Sequence, residues 1–226
     1  MASSSASAAP PLGPDYGPSL PALLRRRFGF RERATTAVAL ALALAVAAVT
    51  LLVVSLTGPE RIVYRAGPTF NLQYSSDVLH RVPPLDGELV RLEGRRGPLA
   101  VSITITPLRL PAYAGNVTSG LLPVYEDGYE RRLRATASNF VERDEGSARV
   151  NDAQGYQLGF RTGAPGGFTF GRDILLVPGD ENVRDGVVLH LRQTKPGLLT
   201  KRDEGFLGPV RKAFKSFNFG TDRSEW

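Results

Sequence analysis

Residues 101–106, Val-Ser-Ile-Thr-Ile-Thr, alternate strictly between apolar and hydroxyl side chains, and this short stretch decides the fold class. Successive side chains of a β-strand point to opposite faces of the sheet, so Val101, Ile103 and Ile105 face a core and the hydroxyls face away from it. The pattern predicts a strand that is buried on one face. Pro107 is expected to end it, because proline cannot donate to a hydrogen-bond ladder.

Further strands are predicted on both sides of this one. Phe70, Leu72 and Tyr74 alternate with polar residues, as do Val90 and Leu92, and Gly-rich residues 94–97 form a turn. Four more strands are expected over residues 140–143, 156–161, 168–177 and 187–193. Short Gly/Pro-rich connections separate the last three, which favours antiparallel pairing.

Two amphipathic helices accompany the predicted sheet. The first runs from Leu121 to Ala137, with Pro123 in its first turn, where proline is tolerated. The second carries Phe206, Val210, Ala213, Phe214 and Phe217 on one face, with Pro209 expected in its first turn. Each helix has one apolar face, so we expect both to lie on the sheet.

The order of these parts resembles the Mog1/PsbP-like superfamily over about residues 69–219. The matching motifs are Phe-x-Leu-x-Tyr at 70–74, Gly-Arg-Asp-Ile-Leu-Leu at 171–176 and Lys-Ser-Phe-x-Phe at 215–219. The resemblance implies an α+β fold, an α/β/α sandwich with a central, mainly antiparallel sheet. Members of the superfamily, actinobacterial lipoproteins among them, act mainly by binding other proteins. The resemblance assigns no functional residue to this chain.

A stretch of 24 uncharged residues, 34–57, precedes the predicted domain. As a helix it would be roughly 36 Å long, at about 1.5 Å per residue, which exceeds a hydrocarbon core of about 30 Å. We interpret it as one transmembrane helix. A cleaved signal peptide is the alternative, and Ala45-Val46-Ala47 fits a cleavage site, although the apolar run continues beyond it.

Five arginines stand directly before this stretch, and the positive-inside rule makes them topology-determining. They are Arg25, Arg26, Arg27, Arg31 and Arg33. They predict a cytoplasmic N-terminus and an extracytoplasmic C-terminal domain, located at the cell membrane by a single-pass signal anchor. The expected organisation is a disordered cytoplasmic tail (1–33), the helix (34–57), a linker (58–68), the domain (69–219) and a C-terminal tail (220–226).

Composition excludes several kinds of chemistry. The chain has no Cys, so disulfides, a lipidated Cys, thiolate metal sites and a cysteine nucleophile are impossible. The 28 basic and 22 acidic residues give a net charge of +6. The part of this excess that falls in the domain is spread along the sequence, so we expect no nucleic-acid partner.

The sequence predicts no catalytic, cofactor-binding or metal site, and no cofactor. His80 and His190 lack metal-ligand spacing, and no nucleophile elbow or phosphate-binding loop occurs. We therefore expect a non-enzymatic binding or assembly module with a protein partner in the cell envelope. A carrier or sensor of a small or lipidic envelope ligand, held near Tyr125, Tyr129 and Phe168, is the alternative. A remoter one is an enzyme in which His190 acts with Asp173 as a general base.

Overall fold

The computed structural model describes residues 22–23, 26, 32–56, 59–164, 166–179, 184–197 and 200–221. The predicted tail 1–33 lies almost entirely outside these residues, together with three of its five arginines. Most of the C-terminal tail, from residue 222, also lies outside them. The chain divides into two compact units, Met1–Leu56 and Thr57–Trp226, which are described separately.

The first unit contains helix α1, Glu32–Leu56, whose 25 residues cover nearly all of the apolar stretch. Its side chains from residue 37 to 53 are exposed. Within the described part of the chain, no helix reaches the length and apolarity needed to cross a membrane. The predicted transmembrane helix is therefore not confirmed.

The second unit contains ten described strands and two described α-helices. The strands are β1 (Glu60–Tyr64), β2 (Phe70–Tyr74), β3 (His80–Val82), β4 (Val90–Arg96), β5 (Leu99–Arg109), β6 (Val141–Val150), β7 (Ala153–Ala164), β8 (Gly167–Val177), β9 (Asp185–Lys195) and β10 (Asn218–Phe219). The helices are α2 (Leu122–Thr136), which follows a π-helical turn at Val117–Leu121, and α3 (Lys201–Lys215).

All the strand pairs are antiparallel, as the short connections predict. Seven strands form one sheet in the order β3-β4-β5-β9-β8-β7-β6, and three form a smaller sheet in the order β1-β2-β10. The large sheet is a series of hairpins, except that β9 returns to pair with β5 along its whole length.

The large sheet has one helix on each face, because residues that alternate along its central strands enter two separate cores. Ile174 and Leu189 belong to a core with β2 and Phe206, Val210 and Phe214 of α3. Leu175 and Val188 belong to a second core with the π-helical turn, Leu122 and Tyr125. The α/β/α sandwich that the sequence predicts is therefore present, with the small sheet on the α3 side.

Several predicted boundaries are wrong. The expected linker, 58–68, contains β1, because Ile62 is buried and pairs with Leu72 of β2. Strand β5 continues through Pro107 to Arg109. Its pairing with β4 ends at Ile105, so Pro107 lies beyond that ladder, opposite Val187 of β9.

The closing helix begins earlier than expected, so Pro209 lies in its interior and not in its first turn. The start of α3 is fixed by Thr200, which accepts a hydrogen bond from the Asp203 backbone, while the Asp203 carboxylate accepts one from the Thr200 backbone.

Residues 220 and 221 of the predicted tail contact the domain. The Gly220 nitrogen donates to Thr69 O at 2.9 Å, and Arg61 donates to Thr221 O.

Candidate functional site

Helix α2 covers only part of its face of the large sheet. It packs over β7 and β8, and the neighbouring strands β9, β5 and β4 present mainly polar side chains beyond it. We call this part the open face; its residues are Arg91, Glu93, Arg95, Ser102, Thr104, Thr106, His190, Arg192 and Thr194. These side chains share a face because they alternate with the apolar residues of the other core.

Asp173 of β8 is the centre of a hydrogen-bond network where α2 meets the open face. Its side chain is fully buried and accepts four hydrogen bonds. Tyr129 of α2 donates its hydroxyl to Oδ2 at 2.6 Å, and His190 Nδ1 lies 2.9 Å from Oδ1. Arg192 donates to both carboxylate oxygens, at 2.8 Å from Nη2 to Oδ2. The network joins α2 to two strands.

The charges in this network keep Asp173 ionised. Burial alone would raise the pKa of Asp173, but the Arg192 charge and the His190 hydrogen bond outweigh it, so the pKa lies well below its ordinary value. Burial, and then the Asp173 charge, raise the pKa of Tyr129, which therefore stays a neutral donor. Arg192 also stacks over the Phe160 ring, 4.8 Å from its centroid.

An ionised Asp173 determines where the His190 proton lies. A carboxylate only accepts, so the neutral imidazole carries its proton on Nδ1 and has its lone pair on Nε2. The Nε2 atom lies 3.0 Å from the hydroxyl of Thr106 on β5. In this neutral form of His190, the Thr106 hydroxyl is the donor in that contact.

A cavity of about 560 Å³ lies on the open face, further along the same strands. Its lining comes from β3, β4, β5 and β9 and includes His80, Arg95, Ser102, Arg192 and Thr194. Two cations in its wall are already paired with carboxylates. Arg91 contacts Glu88 at 2.8 Å and Glu93 at 2.7 Å, and Arg192 contacts Asp173. Val82, Ala100 and Val101 also line the cavity, so its wall is partly apolar, and its polar part is of mixed charge.

The residues predicted for an enzyme are close together, whereas those predicted for a ligand pocket are not. His190 and Asp173 face each other in register across β9 and β8. Tyr125 and Tyr129 pack against the core beneath α2, while Phe168 lies on the opposite sheet face, under Arg161. Within the described residues, no group of three His, Asp or Glu side chains is arranged to hold a metal ion.

The sequence did not indicate the parts played by Thr106, Arg192 and Tyr129. Alternation along β5 places Thr106 on the open face, but its contact with His190 depends on the register between β5 and β9. Residues 110–184 separate those strands in the sequence, so no local pattern sets the register. Tyr129 is recognisable only as an apolar helix position, and its hydroxyl partner comes from tertiary packing.

A second buried carboxylate belongs to α2 itself, away from the open face. Glu126 is 1 % exposed, and its Oε1 has no hydrogen-bond partner. Burial is the main cause that raises its pKa to about 7, followed by the negative charges of Glu145, Glu130, Asp127 and Glu142. Glu126 is thus a destabilising group whenever it is ionised.

Comparison with known proteins gives structural matches only. No protein-family profile matches the sequence, and none of the curated proteins matches it. The chain is similar to LpqN of Mycobacterium tuberculosis, a protein involved in cell envelope biogenesis. The two are 13 % identical over 73 % of this chain and 92 % of LpqN, with a TM-score of 0.44.

Two other solved structures are similar to the chain to about the same degree. PA94 of Pseudomonas aeruginosa is 11 % identical over 74 % of this chain and 99 % of PA94, with a TM-score of 0.41. PsbP of Synechocystis (CyanoP) is 10 % identical over 73 % of this chain and 94 % of CyanoP, with a TM-score of 0.40. A PsbP protein is thus among the structures that the chain is similar to, as the sequence resemblance predicts. This similarity concerns the fold and identifies no ligand or partner.

Proposed function

We propose that the chain is a membrane-anchored extracytoplasmic module that binds a protein partner through the open face. The observation that carries this proposal is the polarity of that face. Small-molecule pockets are mostly apolar with a few polar groups, whereas protein interfaces that form and dissociate have a polar rim and mixed charges. The 560 Å³ cavity, with Arg, Glu, Ser, Thr and His in its wall, fits the second description.

The proposal places the binding surface on rigid elements. The open face lies on strands β4, β5 and β9, which are paired along most of their lengths. Their other face is fully buried in the α3 core. Because the strands are held from behind, the polar side chains of the open face are preorganised, which reduces the entropic cost of binding a partner.

The anchor in this proposal is the apolar stretch of the sequence. Residues 34–57 carry no charge, and five arginines precede them, which favours insertion with the N-terminus in the cytoplasm. The absence of native Cys allows a direct test. In intact cells, Ser147→Cys on the exposed edge of the domain should react with a membrane-impermeant maleimide, whereas Ser4→Cys should react only after lysis. Equal labelling of both variants would contradict the topology.

Site-specific photo-crosslinking tests the partner. A photoreactive residue at position 95 or 194, on the open face, should give a discrete crosslinked species in membranes. The same residue at position 149, on strand β6, is the matched control and should give none. Failure of both open-face positions to crosslink a protein would overturn the proposal. A ligand retained by the purified protein in native mass spectrometry, without any crosslink, would favour the carrier alternative.

A further inference from the structure

Three side chains on adjacent strands are arranged in the order acid, imidazole and hydroxyl. Asp173 Oδ1 lies 2.9 Å from His190 Nδ1, and His190 Nε2 lies 3.0 Å from Thr106 Oγ1. Both distances are within ordinary hydrogen-bond range. The arrangement matches the roles found in hydrolytic triads, in which the acid orients the base and the base faces a nucleophile.

The first and last residues of this arrangement, Asp173 and Thr106, differ in burial and so suit different roles. The Asp173 end is fully buried and held by Arg192 and Tyr129, so the acid is fixed and ionised. The Thr106 end is half-buried, on the open face, and the His190 side chain is 13 % exposed. A network that only joined α2 to the sheet would need Tyr129, Asp173 and Arg192. It would not need a histidine lone pair directed at a hydroxyl on the accessible side.

We propose that Thr106 is an activated hydroxyl that accepts an acyl group from an activated ester, with His190 as general base and Asp173 as the positioning residue. This inference does not depend on the proposed partner binding. The substrate class follows from the chemistry, because a hydroxyl with an adjacent neutral imidazole attacks carbonyl carbon. The reaction needs no metal, oxidant or cofactor.

The Thr106 oxygen forms a bond to the carbonyl carbon, and its proton moves to His190 Nε2. The bond from the carbonyl carbon to the leaving oxygen then breaks, and His190 returns the proton to that oxygen, which gives an alcohol and acyl-Thr106. Water then attacks the carbonyl carbon of acyl-Thr106 while His190 accepts a proton from it. The bond to the Thr106 oxygen breaks, His190 returns the proton to that oxygen, and a carboxylic acid is released. A positioned general base typically raises the reaction rate by about 10²–10⁴-fold, and we expect a rate enhancement of this size.

The experiment is acylation of the full-length chain in detergent by p-nitrophenyl acetate, followed by peptide mass spectrometry. We expect acetyl-Thr106 to form in the unaltered chain. In the Thr104→Val, Thr106→Val double variant, the remaining hydroxyl of strand β5 should be acetylated at least about 10²-fold more slowly. Thr106→Ser should retain the reaction. His190→Gln, which keeps a polar side chain but accepts no proton, should lose it.

Ser147→Ala is the control, because Ser147 is an exposed hydroxyl on strand β6, outside the open face. It should react like the unaltered chain. The circular dichroism spectrum and the midpoint of urea unfolding verify that each variant is folded. Thr106 acetylation that is equally fast in folded His190→Gln, or that is absent from the unaltered chain, would overturn the proposal.

Discussion

Asp173 is the buried carboxylate that links α2 to strands β8 and β9. Asp173→Asn removes the charge that compensates Arg192, and it leaves that guanidinium paired with a neutral amide in a largely buried site. Breaking a buried ion pair by altering one partner is strongly destabilising, and we expect a loss of about 3 kcal/mol in the free energy of unfolding. Urea titration measures it.

Asp144→Asn is the matched control for this prediction. Asp144 contacts Arg172 at 3.2 Å, but both side chains are nearly half exposed, so the same change should cost less than about 1 kcal/mol. Similar losses in the two variants would show that the burial of Asp173 contributes nothing to its effect.

Glu126 makes the stability of the domain depend on pH. Its pKa rises from 4.5 in its ordinary state to about 7 in the folded chain, mainly by burial. Between these values the folded chain keeps a proton that the unfolded chain loses. The free energy of unfolding therefore falls as the pH rises through this window, by up to about 3 kcal/mol.

Glu126→Gln isolates this contribution, because the amide is neutral at every pH and similar in shape. We expect the variant and the unaltered chain to have similar stabilities below pH 4.5, and the variant to be the more stable above pH 7. Urea unfolding at a series of pH values measures the difference. A difference that does not change with pH would mean that Glu126 has the same pKa in the folded and the unfolded chain.

For single residues, the sequence predicts which face of a strand a side chain occupies. It does not predict which side chains of the adjacent strands lie next to it. Alternation placed the hydroxyls of residues 102–106 away from the α3 core, and the structure confirms this placement. The position of His190 beside Asp173 depends on where the hairpin between β8 and β9 turns. A shift of one residue there would move His190 to the other face. Side-chain periodicity carries no information on that shift.

At the scale of elements, the capping box at Thr200 sets the start of α3. The Thr200 side chain accepts the Asp203 backbone N–H, so Thr200→Ala leaves one of the first N–H groups of the helix without a partner. We expect a loss of about 1 kcal/mol in the free energy of unfolding, and a much smaller loss for Thr200→Ser, which retains the hydroxyl. Equal losses in a urea titration would contradict this role.

The elements that the sequence predicted well are those with large apolar side chains at regular spacing, such as β8, β9 and α2. Strand β6 was predicted only over residues 140–143, yet it extends to Val150. Most of its side chains are exposed, so its residues need no apolar alternation. Strand β1 was predicted as linker for a related reason, since Ile62 is its only fully buried residue.

At the scale of the whole molecule, the two compact units predict independent folding. All the buried residues of both cores lie between Ile62 and Phe217, within the second unit. A chain that begins at residue 57 should therefore unfold in one cooperative transition. We expect its urea midpoint to equal that of the domain signal in the full-length chain. A lower midpoint would show that residues before 57 stabilise the domain.

Strand β6 also affects whether copies of the chain can associate through the edge of the large sheet. It is the outermost strand of a seven-stranded sheet, and such a strand offers free backbone groups to any second chain. Four consecutive charged side chains, Glu142, Arg143, Asp144 and Glu145, occupy its first half, with a register irregularity among them. A second copy of this strand would have to desolvate those charges and match that irregularity. The charged residues that obscure the strand pattern of β6 in the sequence therefore also protect the sheet against edge-to-edge aggregation.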